Sequence, residues 1–234
     1  MEFKNLPLKN LGNFHDGQLL LVDKPLTWTS FDVVNKIRYH LKNACNTGNI
    51  KVGHAGTLDP LATGLLIVCI GKYTKRIDEV QALEKEYEGS FIMGASRPSH
   101  DKETAINKTF KTDHISINDL TKATKLFTGK IEQVPPIFSA IKINGERAYK
   151  KARKNEVPDI KSKEVTISNF ELCNIEFPKV EFRITCSKGT YIRSLVNDFG
   201  KELNSGAYLD SLRRKRIGNF QLSNAMTLEK LLQG

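Results

Sequence analysis

The sequence predicts an α+β fold, a large mixed and mainly antiparallel sheet with helices packed on it. Strand-like and helix-like segments are interspersed without the strict alternation that builds an all-parallel sheet. Helical periodicity is confined to discrete stretches such as Ile117 to Phe127. Hairpin signals recur, the clearest being Asn144-Gly145 directly after Ile141-Lys142-Ile143.

The elements follow in order. Leu19 to Val22 is an apolar run closed by Asp23-Lys24-Pro25 and reads as a buried strand. Thr29 or Ser30 caps a helix on which Phe31, Val33, Val34, Ile37 and Leu41 share helical spacing. Asn43 to Asn49 is a polar loop. Lys51 to Gly53 leads into a glycine-rich loop, and Leu65 to Ile70 is a strand, as is Tyr87 to Met93. Ser96 to Thr104, polar and carrying Pro98, is a surface loop. Gly129 stops the helix over Ile117 to Phe127, and Pro135-Pro136 breaks regular structure. Arg147 to Lys154 reads as a short basic helix, Lys163 to Cys173 and Glu176 to Cys186 as strands, Gly189 to Leu203 as a helix, and Leu209 to Gly218 as a strand. No repeat, phosphate loop or dinucleotide fingerprint interrupts this pattern.

Composition sets limits on function. The chain has 234 residues, 39% of them hydrophobic, enough for a sizeable core. No apolar run nears the ~18 residues that cross a bilayer, and no signal peptide is legible, so a cytoplasmic protein is expected. Cys45, Cys69, Cys173 and Cys186 form no Cys-x-x-Cys pair; they read as free thiols, and no zinc site or other metal is expected. The net charge of +10 is localised. Residues 142–163 and residues 183–216 each hold eight Lys/Arg and three Asp/Glu, and the rest of the chain is balanced. Focused positive charge points to a polyanion such as nucleic acid.

Residues 53–64, Gly-His-Ala-Gly-Thr-Leu-Asp-Pro-Leu-Ala-Thr-Gly, are the most informative run. One carboxylate, Asp59, stands among three glycines and Pro60, just before the apolar strand. Glycine permits close backbone approach and positive φ, and proline drives the residue before it away from helix. The run reads as a stiff loop that presents one acid at the mouth of a buried strand, where catalytic groups tend to sit.

This run resembles the catalytic motif of the TruB family of tRNA pseudouridine synthases, whose aspartate is the nucleophile. Further motifs carry the resemblance from about Gly17 to Phe220: Leu19-Leu20-Leu21-Val22-Asp23-Lys24-Pro25 with Thr29-Ser30; Lys85-Glu86-Tyr87; Lys188-Gly189-Thr190-Tyr191-Ile192-Arg193-Ser194-Leu195; Leu212-Arg213-Arg214; and Val134-Pro135-Pro136 with Ser139-Ala140-Ile141-Lys142. The resemblance implies the pseudouridine synthase fold with a central cleft, and one catalytic domain over residues 1–234 with an RNA-clasping insertion at about 130–163. The carboxy-terminal RNA-binding PUA domain of larger members is expected to be absent, since 14 residues follow Phe220. The loop Ser96-Arg97-Pro98-Ser99-His100-Asp101 departs from the family's threonine-rich string but retains the acid Asp101.

The same resemblance assigns roles. Asp59, Tyr87 and Arg193 are the expected catalytic residues, with Arg193 beside the carboxylate. His54, Tyr191, Leu212 and Lys24 are expected to hold the substrate. Lys142, Arg147, Lys150, Lys151, Arg153, Lys154, Arg213 and Arg214 are expected along the RNA backbone. The implied reaction converts a uridine in the T loop of tRNA, position 55, to pseudouridine after base flipping, with no cofactor, in a monomer with no protein partner. Attack of Asp59 at C1′ and a glycal route with Tyr87 as base are both compatible with these residues. A non-catalytic RNA-binding or RNA-refolding protein would share the basic windows but has no need of Asp59. A glycosidase would need a second acid ~5–10 Å from the first.

Overall fold

The computed structural model describes residues 16–43, 49–139, 142–143, 145–148, 151 and 160–233. The chain divides into two compact units, one of Met1–Tyr87 with Leu212–Gly234 and one of Glu88–Ser211. The strands are β1 (Gln18–Lys24), β2 (Val52–His54), β3 (Ala62–Ile70), β4 (Lys85–Met93), β5 (Ala95–Ser96), β6 (Lys108–Thr109), β7 (Gly129–Gln133), β8 (Lys142–Ile143), β9 (Glu146–Arg147), β10 (Lys163–Glu176), β11 (Lys179–Cys186), β12 (Ala207–Ile217), β13 (Phe220–Gln221) and β14 (Met226–Thr227). The chain leaves the first unit within β4 and returns to it within β12.

In the first unit the sheet order is β14-β1-β3-β12, with β2 on β3 and β13 on β12. β1 and β2 lie antiparallel to β3, whereas β12 lies parallel to it, so the sheet is mixed. β1 and β3 are apolar without alternation because both their faces are covered. Leu20, Val22, Leu66, Val68 and Ile70 pack on Val33, Val34, Ile37 and Leu41 of the helix Ser30–Asn43. Leu19, Leu21, Leu65, Ile67 and Cys69 face the other way, onto Val80, Ile217 and Phe220. Each large apolar side chain buried in this way contributes about 1.5–3 kcal/mol.

The helix Ser30–Asn43 starts where its sequence says it must. Thr29 Oγ1 accepts from the Asp32 amide at 3.0 Å, and the Asp32 carboxylate accepts from the Thr29 amide at 2.9 Å, a reciprocal cap. Phe31 departs from expectation: it is 60% exposed and takes no part in the core. The helical spacing of Val33, Val34, Ile37 and Leu41 fills the buried face without it.

In the second unit the order is β12-β4-β11-β10-β7. β10 and β11 form a long antiparallel hairpin, and β7 adds antiparallel to β10. Phe91, Phe170, Phe182 and Phe199 make its aromatic centre, with Phe91–Phe199 and Phe170–Phe199 centroids 5.3 and 5.4 Å apart. Phe199 comes from the helix Ile192–Glu202. The helix Ile117–Leu126 carries a capping box from Ser116 to Asp119. β8 and β9 pair antiparallel, as a hairpin predicted from the Asn144-Gly145 dipeptide requires, with Gly145 at φ +84°; Asn144 lies outside the described residues. Of the expected basic helix over Arg147 to Lys154, Arg147 lies instead in β9, whereas Ala148 and Lys151 are helical; Lys150, Arg153 and Lys154 lie outside the described residues. Among the described residues no helix is long and apolar enough to cross a membrane.

The buried Ser30 hydroxyl ties the first helix to the glycine-rich loop, accepting from the Leu58 amide at 2.8 Å and donating to the Leu58 carbonyl at 3.1 Å. Ser30→Ala leaves two buried backbone groups without this partner, a loss of about 1–3 kcal/mol. Urea unfolding of this variant is expected to show a lower midpoint with an unchanged slope. An unshifted midpoint would show that the loop does not depend on this bond.

Candidate active site

The Asp59 loop joins β2 to β3 and is held at each of its turns. The Asp59 carbonyl accepts from the Ala62 amide at 3.0 Å, closing a turn with Pro60 at its second position. The Pro60 carbonyl accepts from the Thr27 amide at 2.8 Å, and Leu58 is bonded to Ser30. The Ala55 amide donates to the Ile67 carbonyl at 2.9 Å.

Arg214 grips the loop from within. Its side chain is 1% exposed. The guanidinium donates to the carbonyls of Leu65 at 2.7 Å, Gly56 at 3.0 Å and Thr57 at 3.5 Å. The parallel pairing of Leu212, Arg213 and Arg214 with Ala62, Thr63 and Gly64 delivers it there. Gly64, at φ +100°, lies so close to β12 that a Cβ would overlap the Arg214 backbone. The same register sets Leu212 beside Ala62, three residues beyond Asp59. The expected contact of Arg214 with RNA phosphate is therefore corrected, because a buried guanidinium committed to three carbonyls is not offered at the surface.

Lys24, at the end of β1, is fully buried. Its ammonium donates to the carbonyls of Pro25 at 2.9 Å and Trp28 at 2.6 Å. Burial pushes its pKa down to about 8, the negative charge of Asp59 opposes that fall, and the positive charge of Arg214 adds to it. Lys24 thus lies in the fields of both groups and remains mainly protonated at neutral pH. His54, the last residue of β2, has its pKa lowered by burial and then by Arg214, so the ring is neutral. Its Nδ1 is buried with no hydrogen-bond partner among the described residues. Asp59, Lys24, Arg214 and His54 form one electrostatic cluster in the first unit. Tyr87, in the same unit on β4, is 8% exposed.

The second unit holds Arg193 and Tyr191. Arg193, 3% exposed in the first turn of its helix, donates to the carbonyls of Ser99 at 3.2 Å and Phe138 at 3.0 Å, and its Nε lies 3.6 Å from the Asp101 carboxylate. The acid retained in the altered loop is therefore its ion-pair partner. His100 beside it has its pKa pushed down to about 4, by burial first and by the charges of Lys201 and Arg193 next, so it is neutral. Tyr191 has its peptide gripped by the buried Gln133 side chain, which accepts from the Tyr191 amide at 2.8 Å and donates to its carbonyl at 3.1 Å. The Lys163 ammonium lies 4.6 Å from the Tyr191 ring centroid.

The basic window at 183–216 also takes a different meaning. Arg183 pairs with Glu88 at 3.0 Å, Arg213 with Asp23 at 2.7 Å, and Arg216 with Glu84 at 3.0 Å and Glu86 at 3.3 Å. The matching acids lie far away in sequence, so a local charge count misses them. Of the first window, Lys142 and Arg147 are paired in the backbone register of β8 and β9, and Lys151 is half-buried. Sequence reasoning missed Ser30 and Gln133 as supports of the site. It also missed the inward course of Arg214, although strand alternation sends Arg213 and Arg214 to opposite faces.

Known proteins resemble this chain in sequence and in fold. Residues 42–192 match the family described as TruB family pseudouridylate synthase (N terminal domain). A tRNA pseudouridine synthase B from Flavobacterium johnsoniae is 52% identical over 214 residues, covering 91% of this chain and 93% of that protein. One from Phocaeicola vulgatus is 50% identical over 217 residues, covering 93% of this chain and 92% of that protein. Among solved structures, a chain of a Cbf5-Nop10-Gar1 complex superposes with a TM-score of 0.69 at 28% identity, over 99% of this chain and 60% of that one. A chain of an H/ACA RNP bound to a substrate RNA containing 2'-deoxyuridine gives 0.66 at 26% identity, over 92% of this chain and 52% of that one. This chain thus spans between half and two thirds of those solved chains. The mixed sheet, the pinned aspartate loop and these likenesses converge: the chain belongs to the TruB family of pseudouridylate synthases.

Proposed function

We propose that this protein is a tRNA pseudouridine(55) synthase that isomerises a uridine in the T loop, with Asp59 as nucleophile. The observation that carries the reading is the Asp59 loop itself. The backbone of the loop that carries this one carboxylate is held by Ser30, Thr27 and Arg214, in a chain about half identical to proteins named tRNA pseudouridine synthase B.

The reaction breaks the N1–C1′ bond, turns the base and rejoins it through C5, with no net redox change or hydrolysis. It needs an anion at the anomeric carbon, a role that a carboxylate fills in retaining glycosidases. The chemistry calls for no metal or cofactor, and the proposal includes none. The target base must leave its stack first. Neutral His54 suits the vacated place, since no charge is desolvated there. Tyr87 and Tyr191 are proposed to hold the extruded base, and Arg193 to aim the carboxylate through a charge-assisted pair. The enzyme is proposed to act in the cytoplasm as a monomer.

Asp59→Asn retains size and loses charge and nucleophilicity. Single-turnover release of tritium from C5-labelled uridine is expected to fall by orders of magnitude, while tRNA affinity stays within a few-fold because phosphate contacts lie elsewhere. Release near the wild-type rate would remove Asp59 from the chemistry.

Tyr87 discriminates the two routes. If the ring is a platform, Tyr87→Phe retains most activity and Tyr87→Leu loses it. If the hydroxyl moves a proton, Phe is nearly as inactive as Leu. A fully active Leu variant would exclude Tyr87 from the site.

A further inference from the structure

Beside the Asp59 loop lies a surface that the proposed reaction does not use. Leu26 is 54% exposed and Phe31 60%, and Trp28 is half-buried and packs against the core under the first helix. Thr27, Trp28, Asp32, Asn35 and Lys36 line an open groove of about 500 Å³, within the roughly 300–1,000 Å³ span of small-molecule sites.

The groove is continuous with the catalytic loop. The Thr27 amide donates to Pro60, next to Asp59, and Ser30 is bonded twice to Leu58. It is also rigid. The Lys24 ammonium holds the Pro25 and Trp28 carbonyls, and Thr27 is fixed at φ 70°, a strained conformation for a β-branched residue. Such strain concentrates where a backbone is preset for a ligand.

Its chemistry is that of a nucleotide site. Trp28 supplies an indole wall on which any base can stack. Arg38 occupies the Asn35 Oδ1 at 2.8 Å, so Asn35 offers its amide NH₂ as a donor. The Asp32 carboxylate, fixed by Thr29, offers an acceptor. Lys36 brings an exposed cation for a phosphate.

We infer that this groove is a second nucleotide-binding surface, which takes an unstacked nucleotide of the RNA substrate with its base on Trp28 and its phosphate on Lys36. The inference rests on the RNA-modifying reading above. It commits to RNA as occupant because the groove adjoins the loop that must approach the target nucleotide and its exposed cation complements a phosphate.

Trp28 is the single tryptophan of the chain, so its emission reports on this groove directly. Wild-type protein is titrated with a fluorescently labelled T-arm hairpin and with a full tRNA transcript. Anisotropy follows binding, and indole emission with iodide accessibility follows Trp28. Emission is expected to be quenched by half or more at the anisotropy midpoint, with iodide excluded. Asn35→Ala and Lys36→Glu, both at positions that line the groove, are expected to weaken RNA affinity at least fivefold each.

Saturated anisotropy with unchanged Trp28 emission and iodide access would overturn the inference, as would wild-type affinity in both variants. Quenching that follows protein concentration without RNA would mark a self-association surface and overturn it as well. Tritium release from the same RNAs separates the two readings. Isomerisation without quenching rejects the groove and leaves the catalytic proposal standing, whereas RNA neither bound nor isomerised rejects both.

Discussion

The arrangement around Asp59 depends on one buried cation. Removing a charge from water costs several kcal/mol unless its donors are satisfied, and Arg214 meets that condition by donating to three backbone carbonyls of the chain that surrounds Asp59. Guanidinium is suited to this because its donors form a rigid planar fork, which an ammonium does not reproduce. The bonds tie residues on both sides of the aspartate, Gly56 and Thr57 before it and Leu65 after it. The parallel register of β12 on β3 fixes where Arg214 stands, and Gly64 permits that register by carrying no side chain.

A second layer of support comes from groups that are ionised or neutral for a physical reason. Lys24 remains mainly charged despite full burial, because the Asp59 charge and two carbonyls offset part of its desolvation. His54 is neutral because burial and Arg214 both oppose its protonation. In the second unit the Arg193–Asp101 pair and the Gln133 clamp on Tyr191 fix two residues that the family resemblance singles out. Pre-set electrostatics of this kind cost no reorganisation when charge develops in a transition state.

Much of this was legible in the sequence. The apolar runs of β1 and β3, the helix starting at Ser30, the Asn144-Gly145 hairpin and the β10–β11 hairpin follow from periodicity and turn chemistry, and Asp59 stood out through its glycines and Pro60. What escaped has a common cause, the dependence on partners distant in the chain. The window 183–216 reads as unbalanced positive charge because the acids that pair with Arg183, Arg213 and Arg216, namely Glu88, Asp23, Glu84 and Glu86, are remote in sequence. Arg214 read as a surface base because only the parallel pairing of β12 with β3 carries it inward. Phe31 shares the helical spacing of Val33, Val34, Ile37 and Leu41, yet those four aliphatic residues already fill the buried face and Phe31 is exposed. Cys173 has apolar sequence neighbours but is exposed.

The central claim is that Arg214 acts by holding the Asp59 loop, and Arg214→Lys tests it most directly. Lysine retains the charge and most of the length but not the fork. Steady-state kinetics on a T-arm hairpin, with a melting curve to establish that the variant is folded, should show kcat reduced about a hundredfold or more, the cost of a misplaced catalytic group, with KM nearly unchanged. A folded Arg214→Lys enzyme with wild-type kcat, or one whose loss lies wholly in KM, would contradict the account.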